Sequence, residues 1–520
     1  MTTEVFINGE LIDIDNDETV TASYGNITFG ELSKRKGVKS NTWKAPFSPR
    51  NKKIIENSEV IGSNSDFPYR KCSVEVQISG TVVFLGFGVI EESQTSYSIN
   101  SYGGTSDFYT FINNRKLTQL DTTSFNHQWN ETNVKNSQFN TEGYIYAFLF
   151  NGKAGAGGSI VDYVPKDALL PHMFFHSLIK QIALDAGYTL SGKVLTNSRF
   201  VNHLVLCNKF PLPISFGGDF DIALTLPDLA QSKLWLDFAN IYGLQFDIDQ
   251  ELGIITCDYI DDIIFSESQD WTNKIDRTEK PTVSYSLGYA QKSYLRFNSD
   301  DVCLVDYNKE ILIDDETLDE EVDIYKSSFF MVQHTGTVFN EGLGSSFTFT
   351  LKDNQNFRGA WVTGQDYFAS AFQSVWHNGT YYKAKIDSNS NEPPNETYWT
   401  PVDQTTIWTI KSRPMYGYLV TDPASTVNVI FSTGEEQITK VVHNTKLNWS
   451  NSYDLHYKLF DRIKTKTKKL QVDVRLNYSD VNQLDFTRSK RIDDEIYILE
   501  DVTQFKLNRN DSTICNFIRL

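Results

Sequence analysis

The sequence lacks the cysteine pattern of a disulfide-stabilised protein. Its five cysteines occur singly, without a CxxC pair, at Cys72, Cys207, Cys257, Cys303 and Cys515. An odd number of single cysteines fits poorly with a secreted disulfide framework. The N-terminus has no basic segment followed by an apolar core, and no apolar run approaches the ~20 residues of a membrane span. These absences predict a soluble chain that is made in a cytoplasm and can become part of an assembly there.

Positive charge is also scarce. The 520 residues include 48 Lys and Arg against 66 Asp and Glu, which gives a formal net charge of −18. A protein that wraps DNA or docks on an anionic membrane needs a basic surface, so this balance argues against both roles. An acidic wall would still let DNA pass through a lumen without sticking. An acidic surface that serves only solubility explains the charge equally well.

Signatures of catalysis and metal binding are missing as well. There is no GxSxG motif, and the four-residue spacing of His172 and His176 has no intervening Glu, so packed or surface histidines are the better interpretation. The glycine-rich run 152–158 lacks the terminal Lys-Ser/Thr of a phosphate loop, and the acidic run 314–323 lacks the glycine of an EF-hand. The basic run 464–469 has no interleaved aromatics and reads as a solvated loop. No catalytic residue, metal site or cofactor is predicted.

Strand-forming residues are abundant. There are 35 Phe and 26 Tyr among many Thr, Ser, Val and Ile, which favour strands over helices. Alternating runs around Asn8-Gly9 predict a hairpin, and Ser79-Gly80 predicts a second tight turn. The strand patterns lie at 71–78, 81–90, 144–150, 282–287, 293–297, 427–431, 470–476, 496–499 and 515–518. The expected fold class is mainly β.

Two segments share a proline-to-glycine pattern, PHMFFHSLIKQIALDAG (171–187) and PDLAQSKLWLDFANIYG (227–243). Proline is tolerated in a first helical turn and glycine is the common left-handed stop, so each predicts a helix from Pro to Gly. Each helix leads into a strand-like run, and the second unit continues through a turn into another strand at 254–260. The residues between proline and glycine do not support a duplication. The two units predict an α/β connector between two β domains.

The expected organisation has four parts. Residues 1–165 form an N-terminal β domain with a loop insert, and residues 166–265 form the α/β domain with two helix-glycine-strand units. Residues 266–345 and 409–520 form a second β-barrel-like domain. Residues 346–408 hold four of the nine tryptophans and form a small inserted β module. The fold is thus expected to contain two β-barrel-like domains, a helix-containing middle domain and the module.

Several segments resemble recurrent patterns in tail proteins of phages that infect Bacteroidetes. They are residues 6–13 (FINGELID), Arg35 with 40–48 and 51–54, residues 226–249, residues 286–297, and residues 480–486 with 496–499. The resemblance implies a non-enzymatic structural virion protein, a baseplate or tail hub. Such hubs are trimers in which two β-barrel domains per subunit form a pseudo-sixfold ring, which joins a hexameric tail tube to a threefold tip.

The resemblance also implies partners. These are other copies of the chain in a homotrimer, the tail tube, other baseplate proteins, the tape measure or a tip spike protein, and DNA only in passage through a channel. The implied location is the tail of a virion that is assembled in the host cytoplasm. A tail ring or adaptor protein would show many of the same features. A polysaccharide-binding enzyme with an accessory module is an alternative from a different class.

The insert 346–408 resembles small chitin- and cellulose-binding modules. The residues that carry this resemblance are Val375, Asn378-Gly379, Tyr382-Lys-Ala384, Pro393-Pro394 and Trp399. It implies that Trp376, Tyr382 and Trp399 can stack on the sugars of a host surface glycan. The chain departs from the pattern at Phe372–Ser374, which replaces a Gly-Asp, and at Lys385–Asp387, which replaces paired aromatics. A structural or protein-facing module is therefore the alternative.

Overall fold

The computed structural model describes the following parts of the chain: residues 3–15, 18, 20–25, 32, 39–40, 42–93, 95–149, 155–156, 161–165, 169–207, 216–250, 252–285, 288–299, 307–334, 345–346, 349–351, 356–371, 373–402, 408–410, 413–420, 426–430, 436–443, 446–464, 468–507 and 511–520. Strands make up 40% of the structure and helices 23%. This confirms the mainly β prediction, in keeping with the many aromatic and β-branched residues.

The first strands and helices alternate through the N-terminal half. The strands are β1 (Thr3–Ile7), β2 (Glu10–Ile12), β3 (Thr21–Gly25), β4 (Lys39–Ser40), β5 (Trp43–Pro46), β6 (Cys72–Ile78), β7 (Thr81–Ser93), β8 (Ser96–Gly103), β9 (His127–Gln128), β10 (Tyr144–Ala147), β11 (Gly155–Ala156), β12 (Val161–Pro165), β13 (Leu170–Phe174), β14 (Thr189–Ser191), β15 (His203–Leu206), β16 (Asp219–Phe220), β17 (Leu244–Asp249) and β18 (Ile254–Tyr259). The helices are α1 (Pro49–Ile54), α2 (Gly104–Asn113), α3 (Glu131–Ser137), α4 (Phe175–Asp185), α5 (Ser198–Val201) and α6 (Gln231–Ile241).

The C-terminal half is richer in strands. They are β19 (Gln269–Asp270), β20 (Thr282–Ser284), β21 (Lys292–Arg296), β22 (Lys309–Leu312), β23 (Glu321–Lys326), β24 (Phe330–Met331), β25 (Gln333–His334), β26 (Ser345–Ser346), β27 (Phe349–Leu351), β28 (Asn356–Ala360), β29 (Gln373–His377), β30 (Thr380–Ala384), β31 (Trp399–Val402), β32 (Trp408–Ile410), β33 (Met415–Leu419), β34 (Thr426–Ile430), β35 (Glu436–Lys440), β36 (Val442–His443), β37 (Lys469–Val474), β38 (Lys490–Ile492), β39 (Glu495–Lys506) and β40 (Thr513–Arg519). The helices are α7 (Trp449–His456), α8 (Lys458–Ile463) and α9 (Tyr478–Asn482).

The two ends of the chain, together with β19 and β20 from residues 269–284, form one 14-stranded sheet. Its order is β2-β1-β6-β7-β8-β4-β3-β39-β40-β37-β20, with β5 against β8, and with β38 joining β19 to β39. The N- and C-terminal parts meet where β3 pairs antiparallel with β39, with Ala22 opposite Phe505. Their apolar faces share one core, here called the terminal core, which includes Val5, Trp43, Val502 and Phe517.

This sheet differs from the expected division into separate β domains at 1–165 and at 266–345 with 409–520. Strand alternation identifies which residues form strands and which face is buried, but not which distant strand becomes the neighbour. In the described chain, strands from both of these regions pair in one sheet and share the terminal core. The bounds of the expected domains stay a prediction.

The predicted hairpins are present. Asn8 and Gly9 both have positive φ (51° and 81°) between β1 and β2, and Ser79 and Gly80 repeat this geometry (50° and 81°) between β6 and β7. Two successive residues with positive φ match the twist of a two-residue hairpin. These turns set the register of the N-terminal half-sheet, with Ile7 opposite Glu10 and Ile78 opposite Thr81.

A second core, here called the central core, unites α2, α4, α6, α7 and α8 with several smaller sheets. The largest of these sheets has the order β10-β13-β15-β33-β24, with β36 against β33. Residues of the predicted α/β domain (166–265) therefore share one core with residues on both sides of them in sequence. Phe175, Trp235, Phe238 and Tyr416 are among its fully buried aromatic side chains.

The two proline-to-glycine units are only partly as predicted. The first helix begins at Phe175, because Pro171 lies in β13 opposite Tyr146. The second helix begins at Gln231, four residues after Pro227. Both glycine stops are confirmed: Gly187 and Gly243 have φ of 88° and 59°.

The strands that follow the two units form one sheet. β14 pairs parallel with β18, and β18 pairs antiparallel with β17, so the order is β14-β18-β17. Gly243 is required for close approach as well as for its φ, because a Cβ there would lie 2.7 Å from the Cβ of His456. The helix-turn-strand-turn-strand prediction for the second unit is confirmed, and the two units are joined through their strands.

A small sheet lies within the predicted insert. Its order is β28-β29-β30-β31, and its separate core, here called the module core, contains Tyr367, Val375, Tyr382, Ala384 and Trp399. The predicted Asn378-Gly379 turn has φ of 45° and 82° and joins β29 to β30. On the two sides of the module, β27 pairs antiparallel with β32, so the chain enters and leaves it along one pair of strands.

Candidate functional site

The two histidines of the HMFFH motif lie on different elements. His172 is in β13, where its Nδ1 accepts a hydrogen bond from the backbone N–H of Cys207 (3.2 Å), and His176 is in the first turn of α4. Burial lowers the pKa of His172 to about 3 and that of His176 to about 4. Within the described ranges, no three His, Cys, Asp or Glu side chains come together to hold a metal ion. The motif belongs to the central core.

A buried carboxylate on α6 was not singled out by the sequence. Asp237 accepts hydrogen bonds from the hydroxyls of Tyr325 (2.7 Å), Ser327 (2.8 Å) and Tyr416 (2.7 Å). Burial raises its pKa to about 6, and the three hydroxyl donors oppose that rise. The contacts tie α6 to β23 and β33, so the group holds the central core together. The sequence indicates this buried carboxylate only by an Asp that directly precedes Phe238 on the apolar face of a helix.

A second polar cluster in the central core is cationic. The buried Arg199 donates from Nε to the carbonyl of Lys446 (2.9 Å) and from Nη2 to Ser452 Oγ (2.6 Å). His203 Nδ1 lies 3.1 Å from the hydroxyl of Tyr242. Burial, then Arg199 and Lys458, lowers the pKa of His456 to about 4. Protonation of either histidine would add positive charge beside a buried guanidinium, so this cluster requires neutral imidazoles.

The three rings proposed for sugar stacking differ in exposure. Trp399 is fully buried, donates from Nε1 to the carbonyl of Asn391 (2.7 Å) and packs edge-on against Tyr367 (5.4 Å between ring centroids). Tyr382 is only 8% exposed, whereas Trp376 is half-buried. A ring must present a face to stack on a sugar. The stacking role expected of Tyr382 and Trp399 therefore does not fit their burial, because both rings build the module core.

Other apolar side chains of the module are exposed. Phe368 is 37% exposed and Ile386 is 42% exposed, and their segments adjoin because the N–H of Ala369 donates to the carbonyl of Ile386 (3.3 Å). The Oδ1 of Asp387 accepts from the N–H of Ser370 (2.7 Å), which fixes the same contact. Phe368 and Ile386 are thus exposed apolar side chains on adjoining segments, and Ile386 lies where the sequence departs from the sugar-binding pattern. The residues proposed from the sequence are different ones, Trp376, Tyr382 and Trp399.

A braced loop after α1 presents apolar residues to solvent. The side chain of Ile61 is fully exposed, and Val60 and Tyr69 are also exposed. The loop is closed by the ion pair between Arg70 and Glu56 (2.6 Å between Nη2 and Oε1) and is anchored by buried Phe67. An exposed apolar tip on a braced loop is suited to contact with another molecule.

One end of the 14-stranded sheet is open along its edge. Each residue of β20 is exposed, including Val283 at 42%, and Tyr285 after it is 72% exposed. Among the described residues, β20 pairs only with β37. An edge strand offers unpaired backbone groups to which another strand can add. The candidate functional features among the described residues are therefore contact surfaces.

The remaining sequence motifs have the following outcomes. Of the glycine-rich run 152–158, only Gly155 and Ala156 are described, in β11; of the basic run 464–469, residues 465–467 lie outside the described ranges. The acidic run 314–323 is an exposed loop that continues into β23, as expected for a solvated segment. Four cysteines are buried and are not in disulfides, and Cys303 lies outside the described residues. In the part of the chain that is described, no helix is long and apolar enough to cross a membrane.

The chain matches no protein-family model and no curated protein. Among solved structures it is similar to the 43 kDa tail protein of prophage MuSo2 from Shewanella oneidensis, with a TM-score of 0.37, 8% identity, and coverage of 100% of this chain and 98% of that one. It is also similar to the tail protein from Neisseria meningitidis MC58, with a TM-score of 0.34, 10% identity, and coverage of 99% and 95%. TM-scores this low do not establish a shared fold or function.

Proposed function

We propose that the chain is a structural protein of a phage tail, a homotrimeric baseplate hub that closes the tail tube and joins its sixfold symmetry to a threefold tip. The observation that carries the proposal is the 14-stranded sheet, built from both chain ends, whose end strand β20 is exposed. An open sheet end suits a subunit that is completed by its neighbours in a symmetric assembly. The sequence segments quoted above supply the connection to phage tails.

The proposed symmetry match requires two comparable β-barrel domains in each subunit. A trimer of such subunits would present six comparable positions to a hexameric tube. The neighbours in this proposal are the tail tube, other baseplate proteins, and the tape measure or a tip spike. The net charge of −18 suits a channel through which DNA slides, because acidic walls repel phosphate.

The mass of the purified full-length protein tests this proposal. Mass photometry and analytical ultracentrifugation over a range of concentrations should give a trimer, and negative-stain images should show rings with a central opening. A persistent monomer that hydrolyses polysaccharide would contradict the hub and favour the enzyme alternative. A cryo-EM map of a virion tail would then place the ring relative to the tube.

The exposed side chains of Phe368 and Ile386 favour a second role for the module, contact with a glycan or protein outside the ring. Phe368 is exposed and Trp376 is half-buried, so both rings can be tested for stacking. Glycan-array binding that is lost in Phe368→Ala or Trp376→Ala, but kept in a control Val362→Ala, would establish glycan contact. Absence of binding by the wild-type protein on a broad array would assign the module to protein contact.

A further inference from the structure

Lys490 places an amine inside the protein. The residue lies in β38 and is fully buried. In the described chain its Nζ donates hydrogen bonds to Gln269 Oε1 (2.5 Å) and to the backbone carbonyl of Asp485 (2.6 Å), which are neutral oxygens. The ring centroid of Trp271, a residue of the terminal core, lies 5.3 Å from Nζ. A buried ammonium is costly unless a carboxylate neutralises it, so this environment favours loss of the charge.

The surroundings of Lys490 make it a stronger nucleophile than an ordinary lysine. Burial lowers its pKa to about 8; the charges of Arg488 and Lys274 act in the same direction, and the charge of Asp485 opposes them. Lys274 lies beside the same indole ring, with its Nζ 5.4 Å from the ring centroid of Trp271. A desolvated lysine next to another cation reacts as a nucleophile because its neutral amine is accessible near neutral pH.

Strand pairing holds the side-chain amide of Gln269 against this amine. β19 and β38 are parallel neighbours, and Gln269 lies opposite Lys490 in their register. The N–H of Gln269 donates to the carbonyl of Ser489 (2.9 Å). The N–H of Trp271 donates to the carbonyl of Arg491 (2.8 Å). Because a C=O bond is about 1.2 Å long and Nζ lies 2.5 Å from Oε1, Gln269 Cδ lies within about 3.7 Å of Nζ, near the separation of a near-attack geometry.

We infer that the folded protein joins Lys490 to Gln269 by an intramolecular isopeptide bond. The ammonium of Lys490 first releases a proton to solvent, and the neutral Nζ attacks Cδ of Gln269. The bond from Nζ to Cδ forms, the bond from Cδ to Nε2 breaks, and a second proton moves from Nζ to the departing nitrogen. Ammonia leaves through an adjoining cavity of about 280 Å³, which is lined by Gln269, Trp271 and Lys274 among others. A buried amine thereby becomes a neutral amide, which removes the cost of its charge.

The bond has a structural consequence for the 14-stranded sheet. It connects residues that are 221 positions apart in sequence, and β19 is only two residues long. A covalent link that closes a long loop stabilises a protein by restricting its unfolded chain. The four described cysteines are not in disulfides, so the isopeptide bond supplies a covalent link that does not depend on an oxidising environment. The bond is independent of the proposed role in a tail.

The intact mass of the denatured full-length protein tests the bond. The mass of the wild type should be lower than that of its sequence by one ammonia, and digestion should yield a joined peptide that contains Gln269 and Lys490. Lys490→Met and Gln269→Met should each have the full mass of their sequence. The control Lys292→Met changes an exposed lysine of β21 and should keep the deficit. A wild-type protein with the full mass of its sequence would overturn the inference, whatever its oligomeric state.

A cleavage experiment excludes another source of ammonia loss. Asparagine before glycine also loses ammonia when it forms a succinimide, and the chain has this pair at Asn8, Asn151 and Asn378. A protease site inserted after Glu316, in an exposed loop, lies between Gln269 and Lys490. After cleavage and denaturation, the two fragments of the wild type should remain joined, and those of Lys490→Met should separate. Separate fragments from the wild type, or a mass deficit that persists in Lys490→Met, would contradict the isopeptide bond.

Discussion

The terminal core and the module core are both built mainly from antiparallel strand pairs, but they differ in how far apart the paired strands lie in sequence. The module closes within residues 356–402, and each of its strands after β28 pairs with the preceding one. The terminal core instead joins strands from residues 3–103 to strands from residues 469–519. A unit built from local pairs can be removed as a block. A unit built from the chain ends depends on the whole chain being folded, because distant pairing requires closure of a long loop.

The largest predicted effect separates the two units by deletion. Removal of residues 469–520 takes away β37 to β40 and the C-terminal face of the terminal core, so the N-terminal strands should lose cooperative structure. Replacement of residues 352–407 by a short Gly-Ser linker should leave the rest of the protein folded, because β27 and β32 already pair beside the insert. Circular dichroism and limited proteolysis of both deletions check this. A module deletion that unfolds the terminal core would contradict the comparison.

Single core substitutions give the next largest effect. Trp399→Ala and Phe517→Ala each remove a fully buried ring and should each cost about 3–5 kcal/mol in the unit that contains it. Hydrogen exchange should show the loss for Trp399→Ala confined to residues 356–402. For Phe517→Ala the loss should extend to N-terminal strands as well as to β37, β39 and β40. Exchange that rises only near residue 517 would show that the two ends of the chain are not coupled.

Acid should destabilise the central core before the terminal core. The pKa of His172 is lowered to about 3, and those of His176 and His456 to about 4, mainly by burial. In the unfolded chain these histidines have their usual pKa of 6.5 and take up protons that the folded chain does not bind. The stability of the fold therefore falls as the pH drops from 6.5 towards 4. Asp237, with its pKa raised to about 6, binds a proton first in the folded state and offsets part of this loss between pH 6 and 4.

The terminal unit titrates in a lower window. The hydrogen bonds from Arg475 and Thr278 lower the pKa of Asp276 to about 2, so the contribution of this carboxylate is lost only as the pH falls from about 4 through 2. Regional hydrogen exchange between pH 7 and 3 should therefore show α4, β15 and α7 opening first. Simultaneous opening of the central and terminal cores would contradict this order, and His176→Gln should shift the first transition to lower pH.

The smallest predicted effect on stability concerns the braced loop. Ile61→Ser replaces a fully exposed side chain and should change the free energy of unfolding by no more than about 0.5 kcal/mol. If the loop contacts a neighbouring molecule, the same change should weaken binding to the tail tube or to another copy. Chemical denaturation and a pull-down with tube protein measure the two effects. Unchanged association would remove the loop from the set of contact surfaces.

Local signals predicted much of the secondary structure. The Asn8-Gly9, Ser79-Gly80 and Asn378-Gly379 turns were predicted from residue type. A two-residue hairpin requires positive φ at both turn residues, and residue pairs that end in glycine adopt it readily. Glycine stops at Gly187 and Gly243 followed from the same conformational freedom. The start of α4 was not predicted. Because proline has no N–H, Pro171 fits the first turn of a helix and also a strand position where the N–H is not needed for pairing.

The candidate contact surfaces are defined by which side chains are exposed in the folded protein, and the amino-acid composition does not reveal this. The resemblance to chitin- and cellulose-binding modules implied that Trp399 and Tyr382 bind sugar, yet large rings serve equally well as the core of a small module. Ile386 was noted only as a departure from an aromatic pattern, and its segment adjoins that of exposed Phe368. The buried partners of Asp237 come from residues 325, 327 and 416, which no spacing within α6 indicates.

By itself, the sequence determined the local conformations: the hairpin turns, the left-handed helix stops, the mainly β composition and the charge of the basic and acidic runs. These properties depend on φ preferences, side-chain shape and ionisation over a few neighbouring residues. Only the tertiary structure decided that the first and last strands share one sheet, which aromatic rings are buried, and which strand edges are open. Those outcomes depend on which distant apolar faces cover one another, because burial is a property of the whole packed chain.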